Sequence, residues 1–266
     1  MSYWQDKTAL VTGGSGGLGF CIARQLAQCG ANVVIAGRNE ENLKRAEAEL
    51  RSADFAADAI VADVTQDEDV AMLFEQLTEK YDGLDVLVNN VGRSTRSDVL
   101  DTTPDDFRKL MEINFYTVVR CTRAAMPLLV RSKGHVVNIG SLSAKTPSPF
   151  LSAYAASKFA VAAYSQQLRL EGPKEVHSLL VCPGPISRDD AGGRYDEQAE
   201  SLPDRARKPG GGARLKRVSP VDLAKRILRA CERRQPELVV PAKARVLFIV
   251  SQVWPKLGDW MLRKWT

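Results

Sequence analysis

Residues Thr8–Thr12 are strand-prone and feed directly into a turn with five glycines in seven positions, Gly13-Gly14-Ser15-Gly16-Gly17-Leu18-Gly19. A helical pattern, Leu18–Cys29, begins inside that turn. Little side-chain bulk blocks the backbone here, so its N–H groups can approach a pyrophosphate at the positive end of the helix. The string fits G-x-G-x-x-G through Gly14, Gly16 and Gly19, and T-G-x-x-x-G-x-G through Thr12, Gly13, Gly17 and Gly19. It also fits G-x-S-x-G, a hydrolase elbow with Ser15 as nucleophile, whose context is likewise strand–turn–helix. That elbow needs a late histidine on a loop. His135 and His177 both fall at strand starts, so the hydrolase lacks its base and both histidines read as structural.

The rest of the chain repeats the alternation of strand and helix, the signature of a parallel sheet. Further strands are expected at Asn32–Ala36, Ala59–Ala62, Leu84–Asn89, His135–Ile139, Ser178–Cys182 and Leu238–Val240. Helices are expected at Glu40–Arg51, Asp67–Lys80, Pro104–Arg131, Ala153–Glu171 and Pro220–Arg233. Thr65 with Glu68 reads as a capping box, and Thr103-Pro104 and Ser219-Pro220 as N-cap hydroxyls followed by proline. These elements predict a three-layer α/β fold, a doubly wound parallel Rossmann-type sheet forming one domain over residues 1–241. Residues 187–217, rich in glycine and proline, break the rhythm and read as a lid over a substrate cleft.

With 266 residues, 44% hydrophobic and 26% charged, the chain can bury a core and is neither disordered nor fibrous. Five scattered cysteines without a C-x-x-C read as reduced thiols, with no disulfide framework and no metal site. The N-terminus has no apolar signal core, and the apolar run Val246–Val250 is far short of the ~18 residues a spanning helix needs. A cytoplasmic protein is expected. Charge is uneven: residues 205–266 hold 16 Lys and Arg against 4 Asp and Glu, while residues 1–204 hold 21 against 28. No nucleic-acid-binding signature accompanies the basic end.

That end closes on residues 242–266, a basic amphipathic tail with Leu247, Val250, Trp254, Leu257 and Met261 at helical spacing. Pro255 predicts two short helices there. The stripe either packs on its own domain or a partner subunit, or lies in a bilayer interface as peripheral membrane contact.

Tyr154 and Lys158 stand four residues apart on one helix face, where a nearby ammonium favours the phenolate. Ser141 closes a strand thirteen residues earlier, Asn89-Asn90-Val91-Gly92 closes the preceding one, and Pro183-Gly184 closes the next. Asn114 lies in the long helix between. Together with Thr12-Gly13, Gly17-Leu18-Gly19 and Asp63-Val64, these residues resemble the classical short-chain dehydrogenase/reductase (SDR) family over residues 7 to about 240. The resemblance implies an oxidoreductase passing a hydride between nicotinamide and a ketone or secondary alcohol. It makes Tyr154 the general acid/base, Ser141 the donor to the substrate oxygen, Lys158 the holder of the tyrosine pKa and the nicotinamide ribose, and Asn114 the anchor of a proton-relay water. Gly13, Ser15, Gly17, Leu18, Gly19, Asp63, Val64, Asn90, Gly92, Pro183, Gly184 and Ile186 would line the cofactor site, and a homodimer or homotetramer is implied.

Two departures stand out: Val91 replaces the usual alanine, and Ser187-Arg188 follows Ile186 where the family has threonine two residues on. Cofactor choice turns on Ile35-Ala36-Gly37-Arg38-Asn39, which has no carboxylate to meet a ribose 2′-OH. Arg38 would instead grip a 2′-phosphate, so NADP, as NADPH, is expected over NAD. Nearby Glu40 and Glu41 and the uncharged Ser15 weigh the other way. Gly193-Arg194-Tyr195, Ser219-Pro220 and the tail are similar to the membrane-associated branch near the 11β-hydroxysteroid dehydrogenases, which implies a lipophilic carbonyl substrate. The alternatives are a 3-oxoacyl-[acyl-carrier-protein] reductase and, in another class, a non-catalytic NADP-binding regulatory protein.

Overall fold

The structure is a computed structural model that describes residues 2–187, 195–196, 198–212 and 215–265. The chain runs β1 (Thr8–Thr12), α1 (Gly17–Gln28), β2 (Asn32–Gly37), α2 (Glu40–Arg51), β3 (Ala57–Val61), α3 (Asp67–Lys80) and β4 (Val86–Asn89). It continues with α4 (Pro104–Met111), a π-helical turn (Glu112–Tyr116), α5 (Thr117–Ser132), β5 (His135–Ile139), α6 (Ser152–Glu171) and β6 (His177–Pro183). Beyond these come α7 (Asp204–Arg207), α8 (Pro220–Glu232), β7 (Glu237–Val240), α9 (Ala244–Val253) and α10 (Pro255–Trp265).

All strand pairs are parallel, in the order β3-β2-β1-β4-β5-β6-β7. The chain winds outward from β1 to β3 on one side and from β4 to β7 on the other. The crevice at the carboxyl ends of β1 and β4 is therefore the switch point where α/β sheets hold ligands. Strands β1, β4, β5 and β6 are buried along their whole length, which is why they read as apolar runs and do not alternate. One face is covered by α1, α2 and α8, with Ile22, Leu26, Leu43, Leu223 and Ile227 in the core. The other is covered by α3 and α5 through Leu73, Leu77, Cys121, Ala125 and Leu129, and by α6 through Val161.

Two expectations need correction. The Thr65–Glu68 capping box does not form: Thr65 Oγ1 donates to Asp63 Oδ1 at 2.8 Å, and α3 begins after Gln66 without a side-chain cap. The expected single helix Pro104–Arg131 is broken by the π-helical turn, which periodicity alone does not reveal. Within the segment 187–217, α7 and a 3₁₀ turn at Pro209–Gly212 form, and Ala199 and Ala206 are buried. Gly192, Gly193, Arg194 and Arg188 lie outside the described residues. Thr103 and Ser219 cap α4 and α8 as expected, and Pro255 does divide the tail into two helices.

The two histidines meet at the edge of the sheet opposite the glycine-rich turn. Their Nδ1 atoms are 2.9 Å apart; Tyr3 Oη lies 2.7 Å from His135 Nε2, and His177 Nε2 lies 2.7 Å from the Gln235 carbonyl. They stand far from Ser15 in the fold's topology, which removes the base an elbow hydrolase would need. Burial first, then His177, Arg234 and Lys7, push the His135 pKa down to about 3, and burial lowers His177 as well. Both are thus neutral when folded and take up protons on unfolding below an ordinary histidine pKa of about 6.5. Stability is expected to be fully present above about pH 6.5 and to fall on acidification, approaching about 1.4 kcal/mol per pH unit from His135, with His177 acting in the same direction. Urea unfolding between pH 5 and 7 checks this. A midpoint independent of pH in that window, or the same slope in His135→Gln, would contradict it.

Candidate active site

The site is assembled at the carboxyl ends of β1, β4, β5 and β6, around a cavity of about 1370 Å³. The glycine-rich turn forms one wall. Gly17 has φ of 54°, a left-handed conformation that favours glycine, and a Cβ there or on Gly16 would meet nothing within 4 Å. A Cβ on Gly19 would lie 2.2 Å from the Gly13 carbonyl oxygen and 2.5 Å from Asn90 Nδ2. Gly19 is thus required by close packing, and Gly17 by conformation beside open space.

Asn90 ties this turn to β4. Its Nδ2 donates to the carbonyls of Thr12 at 3.2 Å and Gly13 at 3.1 Å, and its N–H donates to Thr12 Oγ1 at 3.1 Å. Val91 lines the cavity beside it, with Cγ2 placed 3.3 Å from where a Cβ on Gly13 would stand. At the end of β2, Arg38 lines the cavity and reaches Asp63 Oδ2 at 3.5 Å, an exposed and loose pair. Asp63 is held below the usual carboxylate range: burial opposes this, but the Thr65 bonds and Arg38 outweigh it.

The opposite wall comes from β5 and α6. Tyr154 and Lys158, one helical turn apart, both line the cavity. Lys158 is buried, and its Nζ donates to the Ile139 carbonyl at 2.7 Å. Burial pushes its ammonium down to about 8, against a smaller opposing effect of Cys182. Ser141 Oγ accepts from the Ser143 N–H at 3.1 Å, which leaves its own proton to donate into the cavity. Such a set can protonate an oxygen and hold a neighbouring anion.

Asn114 sits in the π-helical turn and is fully buried. Its Oδ1 accepts from the Arg93 N–H at 2.8 Å, and its Nδ2 donates to the Arg93 carbonyl and to Ser157 Oγ, each at 2.9 Å. Ser157 in turn donates to the Tyr154 carbonyl at 2.7 Å. The Asn114 side chain is committed to these protein partners. It fixes the loop after β4 against the helix that carries Tyr154.

Comparison with known proteins gives the same answer as this geometry. The family model described as short chain dehydrogenase matches residues 7–199. An uncharacterized oxidoreductase of Bacillus subtilis, YxnA, is 32% identical over 265 residues, covering 98% of this chain and 72% of the relative. The chain belongs to the short-chain dehydrogenase family. Another member, 11-beta-hydroxysteroid dehydrogenase A of Sesamum indicum, is 31% identical over 262 residues, covering 97% of this chain and 74% of its own. Among solved structures, a variant of the actinorhodin polyketide ketoreductase with NADPH superposes with a TM-score of 0.77 at 29% identity, over 90% of this chain and 97% of that one. This short-chain dehydrogenase is accordingly an NAD(P)-dependent oxidoreductase.

The structure brings nearly all the expected site residues of this short-chain dehydrogenase to one cavity. Gly13, Ser15, Gly17, Leu18, Asp63 and Val64 line the end nearest β1 and β2; Asn90, Gly92, Ser141, Pro183, Gly184 and Ile186 line the rest. Gly19 and Asn114 stand behind that lining as supports. Ser187 lines it too, its N–H donating to the Val218 carbonyl at 2.8 Å. Cys182 is fully buried and its thiol pushed up to about 12 by burial, which fits a small strand residue and no redox role. Sequence reading missed Ser157, although it lies within Tyr154–Lys158, and missed Arg93, directly after Gly92, and Arg96, four residues after it.

Proposed function

We propose that this enzyme reduces a lipophilic ketone with NADPH, Tyr154 acting as general acid. The observation that carries this reading is the convergence of Tyr154, Lys158 and Ser141 on one cavity, opposite the open ground above Gly16 and Gly17. That ground is a cradle a pyrophosphate would fill, so the residues fit a dinucleotide. When bound, the nicotinamide supplies the hydride. Ser141 Oγ–H holds the substrate oxygen, Tyr154 delivers the proton to it, and the buried Lys158 charge favours the phenolate that remains. Arg38, at the end of β2 and with no carboxylate preceding it on the strand, supports NADP over NAD. The ketoreductase neighbour with NADPH and the hydroxysteroid dehydrogenase relative are compatible with such a substrate. A purely regulatory NADP-binding role would leave this catalytic set without a purpose. The test is a carbonyl panel of steroid ketones, long-chain keto lipids and a β-ketoacyl thioester, assayed separately with NADPH and NADH. Turnover of lipophilic ketones with NADPH at the higher kcat/KM is expected. Preference for NADH, or turnover of the thioester alone, overturns it.

A second reading concerns the tail. No helix among the described residues is long and apolar enough to cross a membrane. In α9, α10 and the residue between them, however, Val246, Ile249, Val253, Trp254, Leu257 and Trp260 are exposed, while Phe248 packs on the domain. Of the stripe expected from sequence, Leu247, Val250 and Met261 are half-buried and Trp254 and Leu257 face outward. Arg245, Lys256, Arg263 and Lys264 lie among these exposed apolar residues. This combination favours an in-plane membrane contact that feeds a lipophilic ketone to the cleft. The protein is expected to pellet with anionic liposomes at low salt, and the Trp254→Ser, Trp260→Ser double variant to remain in solution. Identical behaviour of the two would assign the stripe to protein packing.

A further inference from the structure

Arg96 is a charge that the reaction described above does not use. It follows Gly92 by four residues, at the carboxyl edge of β4, and only 5% of it is exposed. Its guanidinium carbon sits 3.8 Å from the centroid of the Tyr195 ring. Its Nε donates to the Ala206 carbonyl at 2.8 Å, and its Nη1 to the Thr95 carbonyl at 3.0 Å and Ser94 Oγ at 3.3 Å. Tyr195 also hydrogen-bonds the guanidinium, and Nη2 reaches the Lys208 carbonyl at 3.5 Å, beyond ordinary hydrogen-bond length. Each of these oxygen acceptors is neutral. Among the described residues, Arg96 makes no salt bridge.

An arginine stays protonated in a protein, so burying it with no carboxylate partner among the described residues leaves a charge that those residues do not compensate. The cavity around it repeats the pattern. Arg93, Arg207 and Arg217 line it as well, whereas Asp63, the one carboxylate among its described lining residues, stands at the far end with Arg38. A cleft of one sign focuses potential on its ligand. The phosphates of a dinucleotide fall to the glycine-rich turn and Arg38, whereas Arg96 lines the same cavity as Tyr154.

We propose that the ketone reduced here carries an anionic group, a carboxylate or a phosphate, which Arg96 binds beside Tyr154. The inference rests on the ketone-reductase reading and deepens it: the substrate is an acidic amphiphile. Arg96 has the planar fork that suits both anions, with Nη2 its least engaged corner. Because it also touches the carbonyls of Ala206 and Lys208, an anion at this point bears on α7 and the residue that follows it. A simple latch for that segment would need donors but no charge.

The experiment uses the full-length enzyme and matched ketones: a long-chain keto acid with its methyl ester, and a ketone phosphate monoester with its free alcohol. The first pair reads carboxylate recognition and the second phosphate. At least one anion is expected to exceed its neutral partner about tenfold or more in kcat/KM, as one added charged hydrogen bond allows. That ratio should shrink with added salt, collapse in Arg96→Gln and be partly restored in Arg96→Lys. Equal turnover of charged and neutral members overturns this inference and leaves the reductase reading intact. So does a loss in Arg96→Gln shared equally by both members, since it would show a latch. Should no ketone turn over with either cofactor, the reductase reading fails; calorimetry with the same acid, ester, phosphate and alcohol then decides the anion site, and equal binding overturns it. If Arg96→Gln does not fold, Arg207→Gln and the salt dependence of the wild-type ratio serve in its place, and an unchanged ratio in both overturns the inference.

Discussion

Tyr154→Phe is expected to lower kcat for ketone reduction by ~10²–10⁴-fold, the usual worth of a positioned general acid. NADPH affinity should change little, since the ring remains and only the proton-bearing hydroxyl is lost. The neighbouring charge sets the condition under which the tyrosine works. Lys158 is buried with its Nζ bonded to the Ile139 carbonyl, and its ammonium titrates at about 8, below the ordinary lysine range. Near neutrality it is still largely charged and favours the phenolate that proton transfer leaves behind. Wild-type reduction should therefore weaken as pH rises through about 8, where that charge is lost. Pre-steady-state and steady-state rates with a good ketone, together with NADPH titration by fluorescence, check both halves. A Phe variant with wild-type kcat would remove Tyr154 from the reaction.

Arg38→Ala is expected to raise the KM for NADPH by roughly 10- to 150-fold while that for NADH moves little, because a charged hydrogen bond is worth ~1.5–3 kcal/mol. The exposed pair with Asp63 does not forbid this: at 3.5 Å it is loose, and surface pairs of this kind contribute ~1 kcal/mol or less. A 2′-phosphate offers the guanidinium more charge and two oxygens at once. Arg38→Lys should keep part of the preference. KM values measured with both cofactors on one ketone give the answer, and an equal rise for both would assign Arg38 to general support of the turn.

The sheet was legible because a parallel strand is buried on both sides and leaves a continuous apolar trace between amphipathic stretches. The edges were less so: β3 begins at Ala57, two residues before its apolar run, because backbone pairing with Val33 and Val34 extends it. The gathering of Ser141, Tyr154 and Lys158 at one cavity was legible because the proposed chemistry fixes residue type at each strand end. What supports it was not. Ser157, Arg93 and the Asn114 contacts depend on which backbone groups face one another, and no periodicity encodes that. Arg96 was missed for another reason: a charged residue in the loop after a strand ordinarily reads as solvated, and its burial against Tyr195, Ala206 and Lys208 is a tertiary fact.

The π-helical turn at Glu112–Tyr116 has a consequence for the geometry of the whole layer. One residue beyond the α-helical count turns everything downstream by about 100° around the axis. The stretch before it lies along α6, and the stretch after it lies along α3 and β4. The turn thus works as a phase shifter between two helices that face different neighbours. Removing one residue there would restore an unbroken rod and rotate Val118, Cys121, Ala125 and Leu129 out of their seats in the sheet's flank. The price of placing one asparagine under the tyrosine is a helix that must change partners halfway along its length.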